Sequence, residues 1–306
     1  MRVCNLVTNE RARFYDLQLD ALGRHGVDHE TVAIGGKRGA DGRTPLAYGS
    51  FYLRALRASL GEFDLVHANY GLTGPPAVLQ PRHPVVLSLW GTDLFGRYEP
   101  VSRFCARHSD AVIVMSPGMA EALDTPCEVI PHGVDLDVFR PADRTAARER
   151  VGWPTMGHQV LFPYPPDRPV KNYPRAQQVV AAARDRLDAP VELRTVQGVP
   201  HDRMPDYMNA ADALLLTSDH EGSPNAVKEA MACNLPVVAT DVGDVAERLD
   251  GVTPSSVSDR DQGLVDGLVA ALEGGRSDGR EAAREVSVER MGERLIDVYR
   301  RVLDGQ

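Results

Sequence analysis

Glu221 and Glu229 bracket a turn that reads Glu-Gly-Ser-Pro-Asn-Ala-Val-Lys-Glu. The preceding run, Ala-Leu-Leu-Leu-Thr at 213–217, has the composition of a strand buried on both faces. Glu221 and Gly222 form the tip of the turn. Ser223 suits a helix N-cap and Pro224 the first helical position, so a helix is expected to run to about Cys233. A helix entered this way aims the N–H groups of Asn225, Ala226 and Val227 at the carboxyl edge of a sheet, where they can bind an anion such as phosphate. Glu221 would meet the far end of the ligand, and Glu229 lies one turn beyond Asn225 on the same helix face. Carboxylates repel phosphate but accept hydrogen bonds from hydroxyls. Two of them flanking an anion site therefore suit a ligand that carries both phosphate and sugar hydroxyls.

These groups need a scaffold that puts strand ends and helix starts along one edge. The 306 residues exceed what one core usually holds, and two domains are the natural expectation. Short apolar β-branched runs alternate with amphipathic stretches along the chain. Strands are expected at Arg2–Val7, Thr31–Ile34, Leu65–Ala68, Val85–Leu89, Ala111–Met115 and Glu128–Pro131, then at Gln159–Phe162, Val191–Val196, Ala213–Thr217, Val237–Thr240 and Gly251–Pro254. Tyr15–His25, Arg175–Leu187 and Leu264–Glu273 read as helices between them, and Gly279–Leu303 as one or two closing helices. This alternation is α/β with doubly wound parallel sheets. The pattern restarts near Gln159, which places a linker at about 135–158. Ligands of such sheets bind beyond the carboxyl ends of the strands.

Composition limits the function classes. Net charge is −9; residues 1–140 carry 14 basic and 16 acidic side chains, and residues 141–306 carry 20 and 27. Neither half has the basic balance of a nucleic-acid binder. No apolar run approaches the roughly 20 residues of a membrane span, and no signal peptide is read at the N-terminus. The expected location is the cytoplasm. Cys4, Cys105, Cys127 and Cys233 form no C-x-x-C pair and are expected as buried free thiols. Lysine occurs only at 37, 171 and 228, so each merits inspection.

The 221–229 turn, with Leu-Pro-Val-Val-Ala-Thr-Asp-Val-Gly at 235–243, resembles the paired-glutamate motif of glycosyltransferase family 4. By that resemblance Glu221 contacts the donor sugar, Glu229 holds the ribose hydroxyls, and the helix N-terminus receives the diphosphate. Ile130–Pro141 is similar to the family's interdomain segment, with His132 at its usual asparagine and Gly133 allowing close backbone approach. Asp135 and Asp137 there also mimic a D-x-D metal pair, a reading rejected in favour of turn capping. Leu161–Tyr173 occupies the place of the family's diphosphate-neutralising arginine and lysine. Lys171 matches the lysine; Pro166 stands at the arginine's place, and Arg168 is the candidate substitute. Val199 and His201 lie in the loop that borders the base in the family, or in an ordinary surface loop.

The first half resembles the family through Phe63–Leu72 and Ser88-Leu-Trp-Gly-Thr-Asp at 88–93. Trp90 stands where many members have a histidine, which leaves no acid–base group there. Asp93 either binds a sugar or acceptor hydroxyl or caps a helix, and His67 reads as structural. Thr8–Arg13 lacks the family's double glycine; Arg11 and Arg13 are surface charges or contacts to an anionic acceptor. Phe51–Leu60, with Arg54 and Arg57, is a core-packed helix or a weakly basic membrane-facing one.

The resemblance implies a GT-B fold with an acceptor-side Rossmann-like domain at 1–140, joined by a final helix at about 281–306, and a donor-binding Rossmann-like domain at 141–280. It implies metal-independent transfer with retention of configuration, no cofactor, and a UDP- or GDP-sugar as co-substrate. The acceptor is open, with lipid-linked saccharide, polysaccharide precursor and small metabolite as candidates. Peripheral association with the inner membrane face is one consequence considered. A sugar-nucleotide epimerase and a non-catalytic nucleotide-sugar-binding subunit are the alternatives.

Overall fold

The apolar runs do become strands, and every pairing between named strands is parallel. In the computed structural model, which describes residues 1–35 and 44–305, the chain divides into two units. Unit 1 comprises 1–133 with 288–306, and unit 2 comprises 134–287. Lys37 lies outside the described residues.

Unit 1 holds β1 (Arg2–Val7), β2 (Asp28–Ala33), β3 (Leu65–Asn69), β4 (Val85–Ser88), β5 (Ala111–Val114) and β6 (Glu128–Val129), in the order β2-β1-β3-β4-β5-β6. The order reverses direction between β1 and β3, which makes that gap the switch point of the sheet. The β3 and β4 residues are all buried, as strands covered by helices on both faces require. The closing helix Val288–Asp304 packs on the Arg13–Arg24 helix. Gly292 allows that approach, because a Cβ there would stand 2.9 Å from Ala21 Cβ.

Unit 2 holds β7 (His158–Phe162), β8 (Val191–Thr195), β9 (Ala213–Leu216), β10 (Val237–Ala239) and β11 (Ser256–Val257), in the order β11-β10-β9-β7-β8. Its switch point lies between β7 and β9. Val134 and Phe139 are buried in this unit's core, and Val134 bridges Ser287, so residues 134–140 and 281–287 belong to unit 2. The strand expected at Gly251–Pro254 is a turn, with β11 following it. Gly251 takes a left-handed φ of +73° and Pro254 has no N–H for a ladder.

Phe51 and Ala55 of the helix Pro45–Ala58 are buried in the first core, while Leu46, Leu53, Arg54 and Arg57 are exposed. The four cysteines are free, with Cys4, Cys105 and Cys233 buried; burial pushes these three thiols up to about 12. Among the described residues no helix is long and apolar enough to cross a membrane.

Candidate active site

The switch point of unit 2 gathers the charged residues singled out by sequence. Beyond β7 the chain passes Tyr164 and Arg168 and enters a 3-10 turn, Pro169–Lys171. Beyond β9 it passes Thr217 and Ser218 and reaches Glu221. Thr217 Oγ1 donates to the Lys171 and Asn172 carbonyls at 3.1 and 3.0 Å, which joins the two loops. Lys171, 5% exposed, pairs with Glu221 Oε1, and Ser218 Oγ donates to the same oxygen at 2.7 Å. The Lys171 ammonium also lies 3.7 Å from the centre of the Tyr164 ring. Burial lowers the lysine's pKa and the Glu221 charge opposes that shift. The Tyr164 hydroxyl is pushed well above its ordinary value by burial, then by the charges of Glu221 and Glu229. Arg168 is exposed and close enough to both Lys171 and Tyr164 to affect their protonation.

The helix after the turn runs Asn225–Ala232. Ala226, Val227, Lys228, Ala230 and Met231 are buried, which leaves Asn225 and Glu229 on the outer face, one turn apart. Glu229 Oε1 meets His201 Nε2 at 2.9 Å. His201 follows Val199 in the loop after β8, and its ring stands edge-on to Phe139 at 5.3 Å. Val199 is half-buried against the second core.

Two details at the helix start differ from expectation. Pro224 is the N-cap, with extended ψ of 115°, and no side chain caps the helix. The Ser223 hydroxyl donates instead to Asp244 Oδ2 at 2.8 Å and accepts from Lys228 Nζ at 3.2 Å. Arg248 Nε reaches the same Asp244 oxygen at 2.9 Å. Of the three amides expected to be open, Val227 N–H is given to the Pro224 carbonyl at 3.1 Å. Lys228 is 1% exposed, and burial pulls its pKa down to about 8 against the attraction of Asp244. Gly243 supports the turn from behind: its φ is +64°, and a Cβ there would stand 2.2 Å from the Gly222 carbonyl oxygen. Sequence reasoning missed Tyr164 and this Lys228–Ser223–Asp244–Arg248 network. The signal available was the rarity of lysine, one of which stands inside the motif.

Unit 1 presents different chemistry. Asp93, expected as a hydroxyl ligand or a helix cap, is fully buried. Its Oδ1 accepts from the Trp90 and Gly91 amides and its Oδ2 from Gly71, each at 2.9 Å. A carboxylate spent on three backbone amides organises loops and is not presented to a ligand. Burial raises its pKa while the amides oppose the shift. His67 is also fully buried, between Tyr299 Oη at 2.6 Å and Ser88 Oγ at 2.8 Å. Asp135 Oδ1 accepts from the amides of Asp137 and Val138, so of the pair Asp135 caps the turn. Gly133 N–H points to Met291 Sδ at 3.2 Å. Arg11 and Arg13 are exposed. Among the described residues no cluster of three His, Cys, Asp or Glu could hold a metal ion.

A model described as Glycosyltransferase Family 4 matches residues 6–138, and one described as Glycosyl transferases group 1 matches residues 171–274. A lipopolysaccharide core biosynthesis mannosyltransferase from Rhizobium meliloti is 31% identical over 182 residues, 51% of this chain and 52% of its own. A D-inositol 3-phosphate glycosyltransferase from Catenulispora acidiphila is 28% identical over 278 residues, 71% of this chain and 65% of its own. The chain thus spans between half and two thirds of the length of these two relatives. Sucrose-phosphate synthase from Thermosynechococcus elongatus superposes over 100% of both chains with a TM-score of 0.77 at 16% identity. The Anabaena protein HepE, solved in complex with UDP-glucose, gives 0.69 at 17% identity over 97% of this chain and 98% of its own. The fold is GT-B, and the chain belongs to glycosyltransferase family 4.

Proposed function

We propose that the chain transfers a sugar from a nucleotide-sugar to an acceptor. The observation that carries this reading is the grouping of Lys171, Glu221 and Glu229 around the start of the Asn225–Ala232 helix, at the switch point of one sheet. The donor diphosphate lies at the helix start, where the opening amides and the dipole favour negative charge. Glu229 takes the ribose hydroxyls and Glu221 those of the donor sugar. Lys171, already oriented by Glu221 and Tyr164, and Arg168 offset the charge that develops as the diphosphate leaves. Gly222, Ser223 and Pro224 shape the turn, and Val199 borders the base. A UDP- or GDP-sugar is the proposed donor; HepE, of the same fold, has been solved with UDP-glucose.

The transfer we propose retains anomeric configuration: the leaving diphosphate takes the acceptor proton on the face it vacates. It calls on the chain's own cations and on no metal or cofactor. The place proposed is the cytoplasm, in keeping with four free cysteines, and the inner membrane face if the acceptor is lipid-linked. Release of UDP or GDP from a panel of nucleotide-sugars, with and without saccharide acceptors, tests the reading. Acceptor-dependent release is expected, and Lys171→Ala should reduce it about 100- to 1,000-fold, the range for loss of one oriented charge stabiliser. Release of free sugar from wild-type protein regardless of acceptor would favour an epimerase. Binding without any release would favour a non-catalytic subunit.

A further inference from the structure

Glu229 does not stand alone on its helix face. Its Oε1 accepts from His201 Nε2 at 2.9 Å, while Oε2 accepts no hydrogen bond among the described residues. The carboxylate side chain is 12% exposed, so most of its hydration is gone and its remaining lone pairs need partners.

The histidine ring makes this hydrogen bond and no other among the described residues. A ring nitrogen that faces a carboxylate oxygen carries the hydrogen, which sets the tautomer as Nε2–H. Nδ1 is buried without a partner. Phe139 stands edge-on to the ring at 5.3 Å and is itself fully enclosed. Its backbone is held on both sides: the amide donates to the Asp135 carbonyl at 2.8 Å, and the carbonyl accepts from Arg280 Nη1 at 2.7 Å. His201 opens the 3-10 turn His201–Arg203, closed by the Arg203 amide on the Pro200 carbonyl at 3.0 Å. A buried nitrogen without a partner costs free energy that an aliphatic side chain covering Phe139 would avoid. The bond to Glu229 is what the imidazole supplies and an aliphatic group could not.

We infer that His201 is a positioning residue of the donor site: by tethering Glu229 Oε1 it presents the carboxylate to the 2′,3′-diol of a ribose, and so commits the site to ribonucleotide donors over 2′-deoxyribonucleotide ones. The inference rests on the reading of Glu229 as the ribose ligand and deepens it by naming the class of donor. A carboxylate oxygen accepts two hydrogen bonds, so a tether through Oε1 leaves Oε2 and one lone pair of Oε1 for two neighbouring hydroxyls. The tether also removes rotamer freedom that Glu229 would otherwise lose on binding. A 2′-deoxyribose brings one hydroxyl fewer and leaves a lone pair of a mostly buried carboxylate unmatched. Sites built to bond a hydroxyl reject the analogue that lacks it for this reason.

Calorimetry with UDP, GDP and their 2′-deoxy forms on wild type, His201→Ala and His201→Gln tests the inference, with folding checked by the Trp153-reported transition. Wild type should bind one ribonucleotide at least about tenfold more tightly than its 2′-deoxy form. His201→Ala should reduce that preference to about threefold or less, through weaker ribonucleotide binding with the 2′-deoxy affinity nearly unchanged. His201→Gln, whose amide nitrogen can occupy the place of Nε2, should restore most of the preference. A merely structural histidine would weaken both forms together and keep their ratio. An equal loss for both forms, an unchanged preference in His201→Ala, or a wild type that binds both forms alike overturns the inference and leaves the donor reading standing. Failure of wild type to bind any of these nucleotides overturns the donor reading, and the inference with it.

Discussion

His67 shows how far one buried side chain can be read. Its ring is enclosed between Tyr299 and Ser88, and burial holds its pKa down at about 3 against an ordinary value near 6.5. Between these pH values the unfolded chain binds a proton that the native chain refuses. The stability that comes from burying the neutral ring is therefore present above about pH 6.5 and is lost as pH falls towards 3, at no more than about 1.4 kcal/mol per pH unit. Urea midpoints followed by Trp90 emission between pH 6.5 and 5 should fall more steeply in wild type than in His67→Gln. Equal slopes would remove His67 as the cause. The same residue was legible from sequence as structural, because an apolar strand surrounds it. Asp93 was not: the pattern shows an aspartate after a strand, and only coordinates show three amides closing on it.

At the scale of elements, the helix Arg144–Val151 is fastened to the second sheet by a buried ion pair. Arg148 and Asp212 are 3% and 6% exposed and bonded to each other, and Asp212 Oδ2 also accepts from the Gln159 amide of β7 at 2.6 Å. Asp212→Ala strands a buried guanidinium and should cost unit 2 about 3–5 kcal/mol, measured by denaturation followed at Trp153. A loss below about 1 kcal/mol would show that the pair is not the fastening. Strands β4 and β9 were legible because burial on both faces leaves a nearly continuous apolar run. The strand misplaced at Gly251–Pro254 shows the limit of that signal: two-residue β11 is too short to carry a pattern, and the left-handed Gly251 lies in what read as a strand. The helix start at Asn225 was off by one residue because Ser223 had a stronger partner in Asp244 than a free amide offers. That partner lies 21 residues away, beyond any local rule.

At the scale of the molecule, the chain returns to unit 1 for its last helix after completing unit 2. Tyr299, fully buried on that helix, is bonded to His67. Tyr299→Ala should lower the stability of unit 1 by about 3–5 kcal/mol. The Trp90-reported transition should shift more than the Trp153-reported one, and the reverse order would place the helix with the other unit. The charged cluster at the switch point between β7 and β9 is the proposed donor site. Calorimetric titration of wild type and Glu229→Ala with UDP and GDP tests it most directly. The account predicts that the protein binds one of these nucleotides and that the variant, still folded by its unchanged Trp153 transition, loses at least about tenfold in affinity. Wild-type affinity in the folded variant would contradict it.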